Sequence, residues 1–351
     1  MSKTEASRGS GTDDRGGPQQ PLVIAKNLKK HFPIRSGLLN RQTATVHAVD
    51  GISFEVKKGE TLGIVGESGC GKSTTARLLI GLIELDDGNI IYDGDAVGSD
   101  ISMKDLRRGV QMVFQDSYAS LNPRLTIVDS IAFGPKIHNM KDPTGIARDL
   151  MTRVGLDPER FANRYPHELS GGQRQRVNIA RALAMSPRLV ILDEAVSALD
   201  KSVEAQVLNL LNDLRKEFGL TYVFISHDLN VVRYISDRVL VMYLGEVVEV
   251  GPAEAIYENQ AHPYTASLFA AMPSMDPDNR TQEPPLAGDP PNPINPPSGC
   301  RFHTRCKFAE TVCGTAKPRL SVIGGDQDHL AACHIQDPAS GHSLAAREAA
   351  E

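Results

Sequence analysis

The fold is decided by residues 66–73, which read Gly66-Glu67-Ser68-Gly69-Cys70-Gly71-Lys72-Ser73. An apolar run at 62–65 precedes this stretch, and a helix-like run at 74–83, beginning with Thr74, follows it. The order strand, G-x-x-x-x-G-K-S, helix predicts a phosphate-binding loop. Its glycines let successive N–H groups point at phosphate oxygens in front of the positive end of a helix. We therefore predict that residues 66–74 bind a nucleotide, with Lys72 on the phosphates and Ser73 on Mg²⁺.

A second predicted strand, at 188–192, ends in two carboxylates, Asp193 and Glu194. Open α/β sheets place their chemistry at the carboxyl edge of the strands. We expect Asp193 to hold Mg²⁺ and Glu194 to polarise the water that attacks the γ-phosphate. Taken alone, two acids at the end of a strand would indicate only a solvated turn.

A third predicted strand, at 221–226, ends in His227. A lone histidine usually has no functional role, but this one follows another strand of the same sheet. Its ring N–H can reach the γ-phosphate or orient Glu194. We therefore predict that His227 acts with Glu194 in catalysis.

A second candidate anion site reads Leu169-Ser170-Gly171-Gly172-Gln173 and opens a helix expected over 173–185. Two glycines at a helix start leave N–H groups free beside a serine hydroxyl. Without the other motifs, this would be an ordinary serine-capped helix. Two anion sites can serve one γ-phosphate only if they come from different molecules. The sequence thus predicts a head-to-tail dimer with ATP at the joint.

Together these motifs resemble the ATP-binding-cassette (ABC) ATPases over residues 21–251. The resemblance implies an α/β fold, with a mixed-sheet nucleotide-binding core at 21–255, a helical insertion at about 116–168 and a small cysteine-rich C-terminal extension. It implies that Gln115 senses Mg²⁺ and a membrane partner, and that Asp200 in Ser197-Ala198-Leu199-Asp200 crosses the dimer interface. By the same resemblance Phe32 stacks on adenine, although a plain core role for Phe32 remains open.

The last quarter of the chain resembles one group within this family. The run His262-Pro263-Tyr264-Thr265 and residues 295–303 are similar to the tail of oligopeptide and dipeptide importer ATPases. The cysteine in the phosphate loop and the insertion at 35–45 resemble the second ATPase of the pair that such importers use. The resemblance implies two transmembrane permeases, a second homologous ATPase and an extracytoplasmic peptide-binding protein. Importers of nickel, glutathione and murein peptides share this tail, so the cargo stays open.

Four of the five cysteines lie in the extension expected over 256–340, after a proline-dense stretch at 284–297; they are Cys300, Cys306, Cys313 and Cys333. Residues 1–20 are polar and lack the apolar core of a signal peptide, so we expect reduced thiols at the cytoplasmic face of the inner membrane. That leaves a [4Fe-4S] cluster, a zinc site or unmetallated thiols. Family resemblance favours the cluster, with His303 and His334 as neighbours of the ligands. The metal would either staple a tail too short to bury a core or sense redox state.

Composition limits the remaining classes of function. The 351 residues carry a net charge of −5, with 40% hydrophobic and 23% charged residues, and no apolar run approaches the ~20 residues that cross a bilayer. Transport would therefore need other, membrane-spanning chains. The negative charge argues against a nucleic-acid partner, and we interpret the arginines at 174–181 as a solvated face. A single cassette without heptads also argues against a soluble ABC ATPase of ribosomes or DNA.

Three further expectations concern the framework of the fold. We expect tails at 1–20, without order, and at 341–351. An amphipathic helix at 203–218 should bury Val207, Leu211, Leu214 and Phe218 and end at Gly219. A hairpin at 238–250 should close the sheet, with its turn at Leu244 and Gly245.

Overall fold

The computed structural model of the chain describes residues 20–36, 41–272, 288–289 and 291–345. The predicted N-terminal tail therefore lies outside the described residues except for Gln20, as do residues 346–351 of the C-terminal tail. Residues 284–287 and 290 of the proline-dense stretch and residues 37–40 of the insertion also lie outside them.

The strands in the described ranges are β1 (Pro21–Ser36), β2 (Arg41–Lys57), β3 (Thr61–Val65), β4 (Asp87–Tyr92), β5 (Asp95–Ala96), β6 (Val110–Val113), β7 (Leu189–Asp193), β8 (Thr221–Ile225), β9 (Arg238–Tyr243), β10 (Glu246–Pro252), β11 (Ser321–Ile323) and β12 (Asp326–Ala331). The helices are α1 (Lys72–Leu79), α2 (Met103–Gly109), α3 (Ile127–Ile137), α4 (Pro143–Arg153), α5 (Pro158–Phe161), α6 (Gly171–Leu183), α7 (Lys201–Phe218), α8 (Leu229–Ile235), α9 (Ala253–Glu258), α10 (Pro263–Ala270) and α11 (Thr311–Thr315).

The strands form two sheets. The larger has the order β11-β12-β10-β9-β3-β8-β7-β6, and its strands from β9 to β6 are parallel. The smaller, β2-β1-β4-β5, is antiparallel. Strands β3, β7 and β8 are buried along their whole length, which is why each is apolar except for a polar residue at one end. The expected mixed sheet is therefore present.

The two faces of the larger sheet meet different layers because side chains alternate along a strand. Leu62, Ile64 and Leu189 pack towards the smaller sheet and α1, together with Leu22 and Val56 of the smaller sheet. Val190 and Phe224 point the other way, into a core shared with the helices. The nucleotide-loop strand thus lies between two apolar layers, which hold its carboxyl end in place.

Several element predictions are confirmed. Helices α3, α4 and α5 fall in the expected insertion, and α7 ends at Gly219, whose φ of 63° is left-handed. The hairpin β9–β10 turns at Leu244 and Gly245. Helix α6 begins two residues earlier than expected, because Ser170 and Gln173 form a capping box.

Two predictions of burial are wrong. Phe218 is 41% exposed, because it lies at the last position of α7 and packs under the guanidinium of Arg153 instead of the core. The arginines at 174–181 are half-buried and are not a solvated face: Arg174 donates to the carbonyl of Leu169, Arg176 to that of Val154 at 2.7 Å and Arg181 to that of Ser120. Burial lowers the pKa of Arg181. The bonds of Arg176 and Arg181 tie α6 to the helical insertion.

The C-terminal extension joins the larger sheet. Strand β12 pairs with β10, and β11 pairs with β12. In the described parts of the chain, no helix combines the length and apolarity needed to span a membrane.

Candidate functional site: the nucleotide edge of the sheet

Four neighbouring strands deliver the predicted site residues to one edge. Because β6, β7, β8 and β3 run parallel, their carboxyl ends lie on the same side. The phosphate loop follows β3, His227 follows β8, Asp193 and Glu194 end β7, and Gln115 follows β6. The fold therefore gathers these residues although they are far apart in sequence.

The phosphate loop requires glycine at two positions. The φ of Gly66 is 144° and that of Gly71 is 111°, and a Cβ would lie 2.2 Å from the Met242 carbonyl oxygen or 2.3 Å from that of Ala48. The Lys72 ammonium is buried and donates to the carbonyls of Gly66 at 2.7 Å and Glu67 at 3.0 Å. Lys72 thus lies across the loop, which is where a phosphate-binding cation is needed.

Several predicted loop residues differ in exposure. Ser68 and Gly69 are exposed, Ser73 and Thr74 are half-buried, and Cys70 is only 3% exposed. Burial raises the pKa of the Cys70 thiol, as expected for a small packing residue. The backbone at the tip of the loop is therefore accessible to a ligand, whereas the side chain of Cys70 is not.

The predicted Mg²⁺ residues meet directly. The Ser73 hydroxyl donates to Asp193 Oδ1 at 3.0 Å, across 120 positions of sequence. Asp193 is 5% exposed; burial raises its pKa, and the charge of Glu194 adds to this effect. A buried carboxylate beside another carboxylate is stabilised by a cation, so the donor set of Ser73 and Asp193 fits Mg²⁺.

Glu194 is held in an unusual conformation at the end of β7. Its φ is 48°, in the left-handed region that side chains seldom adopt. Gln115 Nε2 donates to Glu194 Oε2 at 2.8 Å, and His227 Nδ1 lies 3.5 Å from the same oxygen. Backbone strain of this kind is concentrated at functional sites. The predicted catalytic pair and the predicted Gln switch thus form one contact group.

The other predicted site residues lie elsewhere in this chain. Ser170 accepts from the Gln173 N–H at 3.3 Å and caps α6, which packs on α3, α4, β6 and α7. The phosphate-loop helix α1 packs instead on β2, β7 and β8. Asp200 is exposed at the start of α7, and Phe32 is 39% exposed, so Phe32 is not a core residue. Such exposure suits contacts made with a nucleotide or with a second molecule.

Two contacts that hold the phosphate loop were not predicted from the sequence. The Glu67 N–H donates to the Tyr264 hydroxyl at 2.8 Å. Arg305 makes a bidentate ion pair with the Glu67 carboxylate, at 2.8 and 3.1 Å. No local pattern pairs Glu67 with Arg305; the motif around Tyr264, residues 295–303 and the neighbouring Cys306 marked the extension as distinctive without indicating this contact.

The four cysteines of the extension line one small cavity together with His303, His334 and His342. All are free thiols. Burial raises the pKa of Cys300 to about 11 and that of Cys333 to about 12, so a metal would have to displace their protons. Among the residues that the structure describes, no three of these sulfurs lie within 4.8 Å of one another. The thiols converge without closing around a common centre.

The flanking histidines are engaged with backbone carbonyls. His303 Nδ1 lies 2.8 Å from the Cys300 oxygen, and His334 Nε2 lies 2.8 Å from the Ala316 oxygen. One ring nitrogen of each is thereby occupied, as expected for neighbours of the thiols.

Comparison with known proteins agrees with this geometry. The family model described as "ABC transporter" matches residues 49–197, and that described as "Oligopeptide/dipeptide transporter, C-terminal region" matches residues 248–313. The oligopeptide transport ATP-binding protein AppF of Bacillus subtilis is 49% identical over 326 residues, covering 90% of this chain and 98% of AppF. The chain belongs to the ABC transporter family, in its oligopeptide and dipeptide branch.

Two further relatives and one solved structure are also similar to this chain. OppF of Salmonella typhimurium, an oligopeptide transport ATP-binding protein, is 48% identical over 90% of this chain and 97% of its own length. The glutathione import ATP-binding protein GsiA of Pectobacterium atrosepticum is 52% identical over 78% of this chain, but only 45% of GsiA is covered. The ABC MJ0796, solved as a dimer with ADP and Pi, matches with a TM-score of 0.57 and 30% identity, covering 66% of this chain and 99% of its own.

Membership of the family makes this transporter subunit an ATPase that uses ATP with Mg²⁺. The predicted fold class is confirmed by the same matches and by the mixed sheet. The roles of individual site residues and the domain boundaries stay predictions.

Proposed function

We propose that this chain hydrolyses ATP to drive the uptake of di- and oligopeptides across the cytoplasmic membrane. The observation that carries the proposal is the similarity to oligopeptide transport ATP-binding proteins along 90% of the chain, including the extension. The partners would be two transmembrane permeases, a second homologous ATPase and an extracytoplasmic peptide-binding protein. The subunit would bind peripherally at the cytoplasmic face.

The proposed roles follow the contacts at the nucleotide edge. Lys72 would move from the loop carbonyls to the β- and γ-phosphates, and Ser73, Asp193 and Gln115 would hold Mg²⁺, which neutralises phosphate charge. Glu194 would accept a proton from the attacking water. Its carboxylate is oriented by the amide of Gln115, and His227 stands close enough to assist. Phe32 would stack on adenine.

A second chain would complete the site. Ser170, Gly171, Gly172 and Gln173 would face the γ-phosphate of the partner ATPase, and Asp200 would lie at the interface between the two. Their position on α6 and at the start of α7, apart from α1, supports contacts made in trans. Nucleotide binding would favour the closed dimer, and its work on the permeases is limited by that difference in affinity.

A surface beside Gln115 fits the permease. A cleft of about 360 Å³ is lined by Leu82, Phe114, Phe133 and Met185, among others. Phe133 is 54% exposed and Ile137 is 60% exposed on α3, with Tyr118 nearby in sequence at 49%. A cluster of exposed apolar side chains marks a protein interface. Gln115 follows Phe114 of this cleft in sequence and donates a hydrogen bond to Glu194, so docking here would reach the catalytic group.

We propose that the four cysteines hold a [4Fe-4S] cluster. Ligands at about 2.3 Å from one zinc ion lie at most about 4.6 Å apart, and the sulfurs do not form such a closed group. A cluster separates its thiolates more widely. Cys313 and Cys333 are buried, Cys300 and Cys306 are half-buried, and all four line one cavity, which supports a ligand set largely shielded from solvent. The cluster would staple the extension.

The transport proposal is tested on the complete assembly. We would tag the chain, purify the membrane complex that accompanies it and measure ATP hydrolysis with binding protein loaded with peptides of different lengths, glutathione or nickel. Stimulation by peptides alone supports the proposal and gives the length range. Stimulation only by nickel, or purification without membrane partners, contradicts it.

Glutathione is the alternative cargo, because the GsiA relatives are 52% identical over the part that aligns. If ATP hydrolysis is stimulated by glutathione but not by peptides that lack its γ-linkage, glutathione is the cargo.

The metal proposal is tested on anaerobically purified full-length protein. Iron and acid-labile sulfide, with a broad visible absorption lost in Cys306→Ser, are expected. Stoichiometric zinc in the wild-type protein would contradict the cluster.

A further inference from the structure

We propose that Arg305 is a positioning residue that links the four-cysteine site to nucleotide binding through Glu67 of the phosphate loop. The link to a metal rests on the proposed function of the cysteines, whereas the contact with Glu67 does not. The residue lies between two of the cysteines in sequence, at the position before Cys306. Its guanidinium reaches the second residue of the phosphate loop.

The Arg305–Glu67 pair has the geometry of a strong interaction. Both terminal nitrogens of Arg305 bind the two carboxylate oxygens of Glu67, and the side chains are 6% and 21% exposed. Arg305 also donates to the Tyr243 hydroxyl at 3.4 Å and to the Gly288 carbonyl at 3.0 Å. A bidentate pair fixes the direction of both side chains. Because the Tyr264 hydroxyl holds the Glu67 N–H, the residue is held at its backbone and at its side chain.

Charge gives this contact an effect on the nucleotide. Glu67 belongs to the loop, and its carbonyl accepts from the Lys72 ammonium. An unpaired carboxylate at this position would repel a triphosphate bound by the same loop. Arg305 cancels that charge and keeps the side chain turned towards the extension. We therefore expect Arg305 to raise nucleotide affinity without touching the nucleotide.

The segment that carries Arg305 is a tight turn bounded by two thiols. Cys300 O accepts from the His303 N–H at 3.0 Å, and Phe302 O accepts from the Arg305 N–H at 3.0 Å. Phe302 is buried and packs edge-on against Tyr243 and Tyr264, each at 5.4 Å between ring centroids. A group bound by Cys300 and Cys306 would fix the ends of this turn. Its loss would loosen the turn and, with it, the hold on Glu67.

Such coupling works in both directions. If occupancy of the cysteine site tightens nucleotide binding, the nucleotide must tighten the cysteine site by the same factor. The extension would then report the state of its metal to the ATP site.

The first experiment measures the affinity of the full-length chain for a non-hydrolysable ATP analogue with Mg²⁺ by calorimetry. The Arg305→Gln variant should bind the ATP analogue at least about 5-fold more weakly than the wild-type chain. The matched control is Lys317→Gln, which removes the Lys317–Glu246 ion pair at 2.7 Å in the same extension. The double variant Glu67→Gln with Arg305→Gln should recover part of the loss, because it removes the unpaired charge. Thermal unfolding checks that each variant is folded.

Binding by Arg305→Gln as tight as that of the control would overturn the positioning role, and so would a double variant that recovers nothing. The link to the metal is tested by Cys306→Ser and by chelation. Each should weaken binding to the extent that Arg305→Gln does, and combining the changes should add little, since they act through one contact. Wild-type affinity in Cys306→Ser would overturn the link. Protein that never holds metal would refute the proposed cluster while leaving the Arg305→Gln result to decide the positioning role.

Discussion

At the scale of single residues, the catalytic proposal rests on one carboxylate. Glu194 has a left-handed backbone and accepts a hydrogen bond from Gln115. Glu194→Gln keeps the shape of the side chain but cannot accept a proton, so turnover should fall by at least ~10² while ATP affinity is retained. The measurement is single-turnover hydrolysis alongside nucleotide binding.

The control for that variant is Glu254→Gln, on the exposed surface of α9, where Glu254 is paired with Arg233. It should hydrolyse ATP at the wild-type rate. Near-normal hydrolysis by Glu194→Gln would remove Glu194 from the role of general base.

The affinity for nucleotide depends on another residue. The Lys72 ammonium is buried against two carbonyls of the phosphate loop. Lys72→Ala removes charge-assisted hydrogen bonds worth about 1.5–3 kcal/mol each, so ATP should bind about 10- to 100-fold more weakly. Lys216→Ala, an exposed lysine on α7, is the control in the same titration. Tight binding by Lys72→Ala would contradict the placement of the loop.

Residue identities could be predicted where the requirement is local. Gly66 and Gly71 are demanded by the loop conformation, and Asp193 ends an apolar strand, so spacing alone indicated them. Arg305 could not be found in this way, because 238 positions separate it from Glu67 and its partner is set by the docking of the extension. Two arginines of α6 were misjudged for a similar reason: the acceptors of Arg176 and Arg181 are the carbonyls of Val154 and Ser120, which the packing of the insertion brings to α6.

At the scale of elements, the two glycines at the start of α6 have different tasks. A Cβ on Gly172 would lie 2.5 Å from Val203 Cγ1 of α7, whereas one on Gly171 would lie 3.8 Å from Leu199 Cδ2, an ordinary contact. Gly172→Ala should therefore destabilise the chain by about 1–3 kcal/mol. Gly171→Ala should keep the free energy of unfolding but hinder a phosphate that approaches from the partner. Chemical denaturation and ATP hydrolysis of the assembled complex measure the two effects.

The result for Gly171→Ala is the informative one. Unchanged stability with unchanged hydrolysis would mean that α6 does not contact nucleotide across the dimer. The boundaries of helices were predictable to within a few residues, because capping residues such as Ser170 and Gly219 can be recognised from the local sequence. The exposure of Phe218 could not be predicted, because the spacing of apolar residues along a helix does not show where the core ends.

At the scale of the whole molecule, the conformational change driven by ATP must be passed to the permeases through a contact surface. The proposed permease surface is centred on Phe133 of α3, which lines the cleft beside Phe114 and is more than half exposed. Aromatic side chains at the centre of an interface often contribute 2 kcal/mol or more, so Phe133→Ala should weaken assembly with the permeases by about 30-fold. Phe218→Ala, at an exposed aromatic on α7, is the matched control. Nucleotide affinity of the isolated chain should stay unchanged in both, and co-purification of the permeases by Phe133→Ala at the wild-type level would place the docking surface elsewhere.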